Sequence, residues 1–492
     1  MIIKTSPDEI QNYLSDASNY KGFCEAVYFP ENEQDISGIL KEASIKNTPV
    51  TISGNGTGLT GARVPQGGIV ISTEKLNKII EINKEQLSAE VEPGVLLSDF
   101  QEKVKGQNLL YPPDPTEKNC FIGGTVATNA SGEKTFKYGP TRDYITELNI
   151  VLPDGDILRL KRGSNIAVGY NISLKTEAGR IINIALPEYK MPATKNAAGY
   201  YCKGNMDAID LFIGSEGTLG VISKIKLKLV PLPEKLISCV IFFFEETDAL
   251  NFIATAREIS YNTRLKNSAG EIDALALEYF DERALNFLRD DYNRIPDNAK
   301  AAVWFEQEVK QENEDAYFEK WLALISDFNG DEESAWFAVT EEDKKKILEF
   351  RHSISVKINE YISKKNLKKL GTDVAVPHEK FKELYFYSKQ LVQEQNLAYV
   401  IYRHAGNSHI HLNMLPDSEE QYKTGVSLYS EICRKAIELG GTVSAEHGIG
   451  KLKTGYFNLM YGEDTIHKMI GLKKIFDPNM ILGKGNIFNI TT

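Results

Sequence analysis

Ser53-Gly54-Asn55-Gly56-Thr57-Gly58-Leu59-Thr60-Gly61 follows the apolar run Pro49–Ile52 and is followed by Pro65 and Gly67-Gly68. Within it, Gly56-x-Gly58-x-x-Gly61 has the spacing of a dinucleotide fingerprint. That fingerprint must open a helix whose N-terminus faces a pyrophosphate. Here the chain runs instead into another strand-like segment, Gly68–Ser72, so the Rossmann reading fails. No Lys-Ser/Thr pair follows, which removes the P-loop as well. What remains is a run of backbone N–H groups free of side-chain bulk, and such a nest binds a diphosphate without a helix. A surface turn is the plainer alternative; four glycines and no charge favour the anion cradle.

Working outward, the chain has 492 residues, too many for a single core, because cores stop growing at roughly 250–300 residues. Hydrophobic content of 42% and charged content of 25% are those of a globular protein. The net charge of −11 argues against a nucleic-acid partner and provides no polybasic membrane anchor. The five cysteines are scattered with no C-x-x-C pair, which fits a reducing compartment and gives no iron–sulfur or cysteine-zinc signature. The N-terminus lacks the profile of a signal peptide. The longest apolar run, around Leu236–Phe244, is too short to cross a bilayer. The expected location is the cytoplasm, with peripheral membrane contact left open.

The first half reads as short strands: Ile80–Ile82, Leu87–Val91, Ile145–Leu152, Ile157–Leu160 and Thr218–Leu229, with Pro153-Asp154-Gly155 as a hairpin turn. Asp35–Lys46 has a helix-compatible pattern. Prolines at 231 and 233 mark a boundary. Beyond it, Glu306–Phe328, Glu341–Lys365, Pro377–Gln395, Glu419–Leu439 and Asp464–Phe476 carry helical periodicity, while Leu397–Tyr402 and Ser408–Leu415 look like strands. The domains expected are 1–230, 231–455, and a tail 456–492 returning to the first.

Two further segments are rich in small residues. One is Tyr111-Pro-Pro113-Asp114-Pro followed by Ile122-Gly123-Gly124-Thr-Val-Ala-Thr-Asn129-Ala-Ser-Gly132 and Lys137-Tyr138-Gly139-Pro140. The other is Leu211-Phe-Ile-Gly-Ser-Glu216-Gly-Thr-Leu-Gly220-Val221-Ile222. Such backbone can approach a flat ligand closely. Together with the glycine loop, in this order, they resemble the PCMH-type FAD-binding domain of the vanillyl-alcohol-oxidase superfamily over about residues 20–230. The resemblance implies an α+β fold in which FAD lies between two α+β subdomains. It places the pyrophosphate on Ser53, Gly54, Asn55, Gly56, Thr57 and Gly58. Gly123, Gly124, Asn129 and Gly132 would pass near the flavin and ribityl chain, and Pro113, Asp114, Tyr138 and Gly139 are expected among the cofactor-binding residues. Glu216, Gly220 and Val221 would lie toward the adenosine. No histidine precedes His352, so a histidyl-flavin link through this domain is excluded and FAD is expected to be non-covalent.

Four of the seven histidines lie in Arg403-His404-Ala-Gly-Asn407-Ser408-His409-Ile-His411-Leu-Asn413 and Ala445-Glu446-His447-Gly448. Three imidazoles in eight residues, then a carboxylate beside a fourth, suit zinc, manganese or iron. On a strand, His409, His411 and Asn413 share a face. These segments resemble the C-terminal domain of FAD-dependent D-2-hydroxy-acid dehydrogenases, a group that includes D-lactate dehydrogenase, D-2-hydroxyglutarate dehydrogenase and the glycolate oxidase flavin subunit. In that family the domain is a cap with an antiparallel sheet and flanking helices. The resemblance assigns His404, His411 and Glu446 to a divalent metal, His447 to the catalytic base, and Asn413 to the substrate. It also assigns Arg351, with Ser355 one turn on, to the substrate carboxylate. The turn departs from the family pattern at Asn407, Ser408 and His409; His409 is expected to support the ligands rather than join them. Gly371 stands where hydroxyglutarate enzymes carry a substrate lysine, which disfavours a dicarboxylate.

The implied activity is oxidation of a small D-2-hydroxy acid, D-lactate-like or glycolate, to the 2-oxo acid. His447 would take the hydroxyl proton and hydride would pass to flavin N5. Reoxidation calls for an electron acceptor: an electron-transfer flavoprotein, a quinone or a cytochrome. A homodimer is compatible with the sequence. The rival readings are a non-redox flavoenzyme like alkyl-dihydroxyacetone-phosphate synthase, a non-catalytic flavin subunit of an electron-transfer complex, and a metal-dependent hydrolase.

Overall fold

The computed structural model describes residues 1–489 except positions 269, 339, 366 and 367. Three sheets organise the chain. The first has the order Ile2–Lys4, Ala26–Phe29, Ile69–Ser72, Val50–Ser53. Its last three strands pair in parallel, and the helix Glu33–Lys46 makes the crossover between two of them. Asn32 caps that helix, its side-chain oxygen accepting the Asp35 N–H at 2.8 Å, and Asn47 ends it at φ +53°. Ile36, Ile39, Leu40 and Ala43 form its buried stripe. The glycine loop leaves the end of Val50–Ser53, so the parallel strand delivers it.

The second sheet is antiparallel: Ile79–Asn83, Ser88–Val91, Val221–Lys228, Ile145–Val151, Ile157–Lys161. The expected Pro-Asp-Gly turn joins its last two strands, with Gly155 at φ +80°. A separate hairpin, Asn171–Lys175 with Ile181–Ala185, occupies part of the stretch after residue 161.

The third sheet carries the histidines. It runs Trp336–Phe337, Lys235–Phe243, Ala301–Val309, Ala274–Asp281, Tyr399–Tyr402, His409–Met414, Leu370–Gly371, with Val374–Ala375 also on His409–Met414. Its strand pairs are antiparallel. The long apolar run in Lys235–Phe243 now has a reason. Cys239 and Ile241 pack into one cluster with the helix Glu246–Lys266, while Val240 and Phe242 pack into another with Glu341–Ser363. A sheet covered on both faces needs apolar residues at every position.

Several elements differ from expectation. Glu306–Val309 is strand, and the helix begins only at Glu314 and ends at Asp327. Glu306-Gln307-Glu308 reads as helix by composition, yet Trp304 and Phe305 anchor it in the sheet. His378–Lys380 is a 3₁₀ turn ahead of the helix Phe381–Glu394. The final helix spans Thr454–Phe476 with a break at Gly462, φ 72°, ψ 164°. Beyond it Leu482 bridges to Val50, and Lys473 Nζ donates to the Thr218 carbonyl at 2.8 Å and pairs with Asp477. No helix among the described residues is long and apolar enough to cross a membrane.

Candidate active site

The glycine loop closes one side of a deep cavity. Gly54, Asn55, Gly56, Thr57, Gly58, Gly123, Gly124, Glu216 and Gly220 line it, as expected for the cofactor. A Cβ on Gly124 would meet nothing within 4 Å, and one on Gly54 or Gly58 would meet nothing closer than 3.7 Å. These glycines therefore face open space, as a flat ligand requires. Others of the expected set stand elsewhere. Ser53 and Val221 are buried in the strands behind the wall. Gly132 packs so closely on the Asp114 carbonyl that a Cβ would come within 1.9 Å. Pro113 is also buried, its carbonyl facing Gln101. Asp114 is ion-paired with Lys134 and Lys118, and Tyr138 donates to Glu308 at 2.5 Å. Asn129 and Gly139 line a second cavity, which meets the first at Ser131. Ser53, Pro113, Asp114, Gly132, Tyr138 and Val221 thus stand outside the lining of the first cavity, held by packing and side-chain partners.

The loop 446–451 docks on the glycine loop. Lys451 N donates to the Thr60 carbonyl at 2.9 Å, and a Cβ on Gly450 would lie 2.1 Å from that oxygen. Glu216 accepts the N–H groups of Ile449 at 2.7 Å and Gly450 at 2.6 Å. Burial nonetheless raises its carboxyl to about 7. Through these contacts Glu446 and His447 form part of the cavity wall.

Behind them the histidines converge. Ligand atoms of His404, His409, His411 and Glu446 lie within 4.8 Å of one another, all buried. His404 Nε2 is 3.3 Å and His411 Nε2 3.6 Å from the Glu446 carboxylate. His404 Nδ1 meets Glu278 at 2.7 Å, and His411 Nδ1 faces the Thr372 carbonyl at 2.8 Å. Both rings are thus oriented by a backing acceptor, the arrangement of metal-ligating imidazoles. His411 Nε2 is buried without a hydrogen-bond partner, an atom awaiting one. Burial pushes His411 down to about 4, which keeps it neutral and able to donate its lone pair. The Lys195 ammonium also pairs with Glu446. Burial works against the Glu446 charge, but His404 and Lys195 outweigh it and hold the carboxyl well below its usual range. The residues present therefore fit a divalent cation. His409 sits inside this cluster, Nδ1 3.9 Å from Glu446 and Nε2 3.1 Å from Asp373, closer to a ligand position than the sequence led us to expect.

Asp373 is the hub beneath the loop. It lies 3.2 Å from His447 Nδ1 and 2.6 Å from Lys453 Nζ, and accepts the Ser444 hydroxyl at 2.8 Å and the His447 N–H at 3.1 Å. Burial opposes its charge, yet His447 and Lys453 keep its carboxyl well below the ordinary value.

Of the expected substrate residues, Arg351 is placed differently. It is 1% exposed, absent from the cavity wall, and pairs with Glu133 at 3.0 Å and Glu278 at 3.3 Å. Its helix, Glu341–Ser363, buries the face that carries it, so it supports Glu278 and through it His404. Ser355 instead meets Arg403, which does line the cavity. Asn413 is buried, donating to the His411 carbonyl at 3.2 Å, and a Cβ on Gly371 would come within 2.8 Å of its Oδ1. Lys195, Glu278 and Glu133 lie outside every contiguous motif, and Arg403 stands beside one with no role of its own in the sequence.

A cavity lined by glycine backbone between two α+β sheets, walled on one side by a histidine–carboxylate cluster, defines a flavoprotein of the PCMH-type FAD-binding fold. Residues 24–161 match the family model described as FAD binding domain, and residues 249–487 the one described as FAD linked oxidases, C-terminal domain. The chain is 32% identical to glycolate oxidase subunit GlcD of Bacillus subtilis (strain 168), across 97% of this chain and 92% of that protein. It is 29% identical to the D-lactate dehydrogenase of Anaerostipes hadrus, across 94% and 89%. A solved alkyldihydroxyacetonephosphate synthase superposes with a TM-score of 0.66 at 15% identity, covering 98% of this chain and 81% of its own, a likeness of fold. The chain belongs to the FAD-linked D-2-hydroxy-acid dehydrogenase and glycolate oxidase flavin-subunit family, and it is an FAD-linked oxidoreductase.

Proposed function

We propose that the protein oxidises a small D-2-hydroxy acid, of the size of D-lactate or glycolate, to the 2-oxo acid. The observation that carries this reading is His447: it stands in the wall of the glycine-lined cavity, beside Glu446 of the histidine cluster. When bound, FAD supplies a two-electron acceptor for the substrate's C2 hydrogen, and a divalent cation on His404, His411 and Glu446 supplies Lewis acidity toward the hydroxyl. His447 turns Nδ1 to Asp373, which leaves Nε2 to accept the hydroxyl proton. Lys453 balances the Asp373 charge, so the carboxylate orients the ring without competing for the proton. Glu278 orients His404, and Arg351 steadies Glu278. Gly371, packed against Asn413, leaves no cationic side chain there for a second carboxylate. Turnover would call for an external electron acceptor: an electron-transfer flavoprotein, a quinone or a cytochrome. The histidine cluster favours this reading over a synthase-like, non-redox one, whose chemistry needs no such ligand set. Anaerobic mixing of the holoenzyme with 2-hydroxy acids tests it: bleaching by the D-acid is expected, and a flavin that stays oxidised with every acid in the panel refutes it.

A further inference from the structure

Arg403 is held at φ +84°, in the left-handed region that a non-glycine residue seldom adopts. His404 follows at φ +34°. The pair turns the chain out of the strand Tyr399–Tyr402, so the guanidinium reaches the cavity wall that Glu446 and His447 share. There its polar partners are two hydroxyls. Nη2 donates to Ser355 Oγ at 2.5 Å and Nη1 to Thr116 Oγ1 at 3.3 Å. Nε is buried with no partner. No carboxylate among the described residues pairs with this arginine, whereas Arg351 is neutralised by both Glu133 and Glu278. An unneutralised guanidinium facing a cavity is matched by a planar anion, which it grips through two parallel N–H bonds. Thr116, which lines the cavity, accepts from the arginine and keeps its own proton free to donate to the same anion, while Ser355 Oγ, also bonded to the Tyr402 hydroxyl at 3.3 Å, steadies the guanidinium.

We propose that Arg403, steadied by Ser355 and Thr116, binds the substrate's carboxylate and so selects for hydroxy acids over uncharged alcohols. The inference rests on the function proposed above, but it is tested by binding as well as turnover. Arg403→Gly is the informative variant, because glycine adopts the local backbone without strain and the fold should hold or gain in melting temperature. Arg403→Lys keeps the charge and loses the fork. The holoenzymes are titrated with D-lactate and with oxalate, a planar anion that lacks the hydrogen to be removed, and flavin absorbance is followed. Arg403→Gly is expected to bind both about 10- to 100-fold more weakly, the scale of one or two charge-assisted hydrogen bonds, with Arg403→Lys between it and the wild type. FAD content should be unchanged, and reduction at saturating substrate should fall far less than affinity. Unchanged affinity in Arg403→Gly overturns the inference. So does loss of FAD, which would assign the arginine to a cofactor phosphate. A wild type that binds neither acid overturns it as well. A wild type that binds oxalate through Arg403 but is not reduced by any hydroxy acid keeps the anion site and overturns the proposed function instead.

Discussion

Replacing Asp373 by asparagine tests how the base is held. The carboxylate is wholly buried and 2.6 Å from the ammonium of Lys453, which is itself 8% exposed. Removing one charge of a buried pair costs about 3–5 kcal/mol. Lys453 keeps the Ser444 hydroxyl at 3.1 Å, so the lower end, about 3 kcal/mol, is expected. Lys453→Met leaves Asp373 with the Ser444 hydroxyl and the N–H groups of Glu446 and His447, and should cost about 1.5–3 kcal/mol. The double variant strands no charge, so its loss should fall short of the sum by roughly 2 kcal/mol. Activity should separate from stability. An asparagine N–H donates to His447 Nδ1, which forces the ring proton onto Nε2 and removes the base. Both Asp373→Asn proteins should therefore reduce flavin more slowly, on the order of 10²- to 10⁴-fold. The comparison belongs at neutral pH. Because the Asp373 carboxyl is depressed, its stabilisation is fully present above the ordinary carboxylate range and is lost as pH falls through the depressed value. Thermal melts and anaerobic flavin reduction across the four proteins supply the data. Strictly additive melts, or a double variant that regains the rate, refute the reasoning.

Gly124→Val should fold, since the added side chain points into open cavity, yet lose FAD; absorbance of the purified protein near 450 nm against its melting temperature checks this. Glu278→Gln removes the carboxylate behind His404 and should weaken metal retention about 10- to 100-fold, read as metal content after dialysis against graded chelator. Burial raises the Asp281 carboxyl to about 7, so the fold holds a proton that the unfolded chain releases. That raised value makes the residue's contribution fall as pH rises from about 4 through about 7. Asp281→Asn keeps the cap on Ala284, and its melting temperature relative to the wild type should climb between pH 5 and pH 8; a pH-independent difference counts against the burial.

The glycine loop and the histidine segments were legible because their meaning is local: consecutive residues make the nest, and alternate residues on one strand make His409 and His411 neighbours. What was not legible is long-range. Glu278 lies on a strand with no motif, and its link to His404 spans 126 positions. Lys195 reaches Glu446 from a stretch that carries no motif. Arg403 adjoins His404, but nothing in a sequence announces a left-handed arginine. Arg351 was read for its chemistry, which is right for a carboxylate, while burial decided which carboxylates it meets. Glu306-Gln307-Glu308 has a related explanation: the C-terminal end of an interior strand, where Glu308 meets Lys137 and Gln307 meets Trp321, tolerates polar residues that a periodicity reading assigns to a helix.

The most direct test of the central claim is anaerobic flavin reduction by the two enantiomers of a 2-hydroxy acid, in the wild type and in His447→Gln. D-lactate should bleach the wild-type flavin and L-lactate should not, and His447→Gln should bind FAD but stay oxidised with both. Bleaching by L-lactate alone, or a His447→Gln flavin reduced at the wild-type rate, contradicts it.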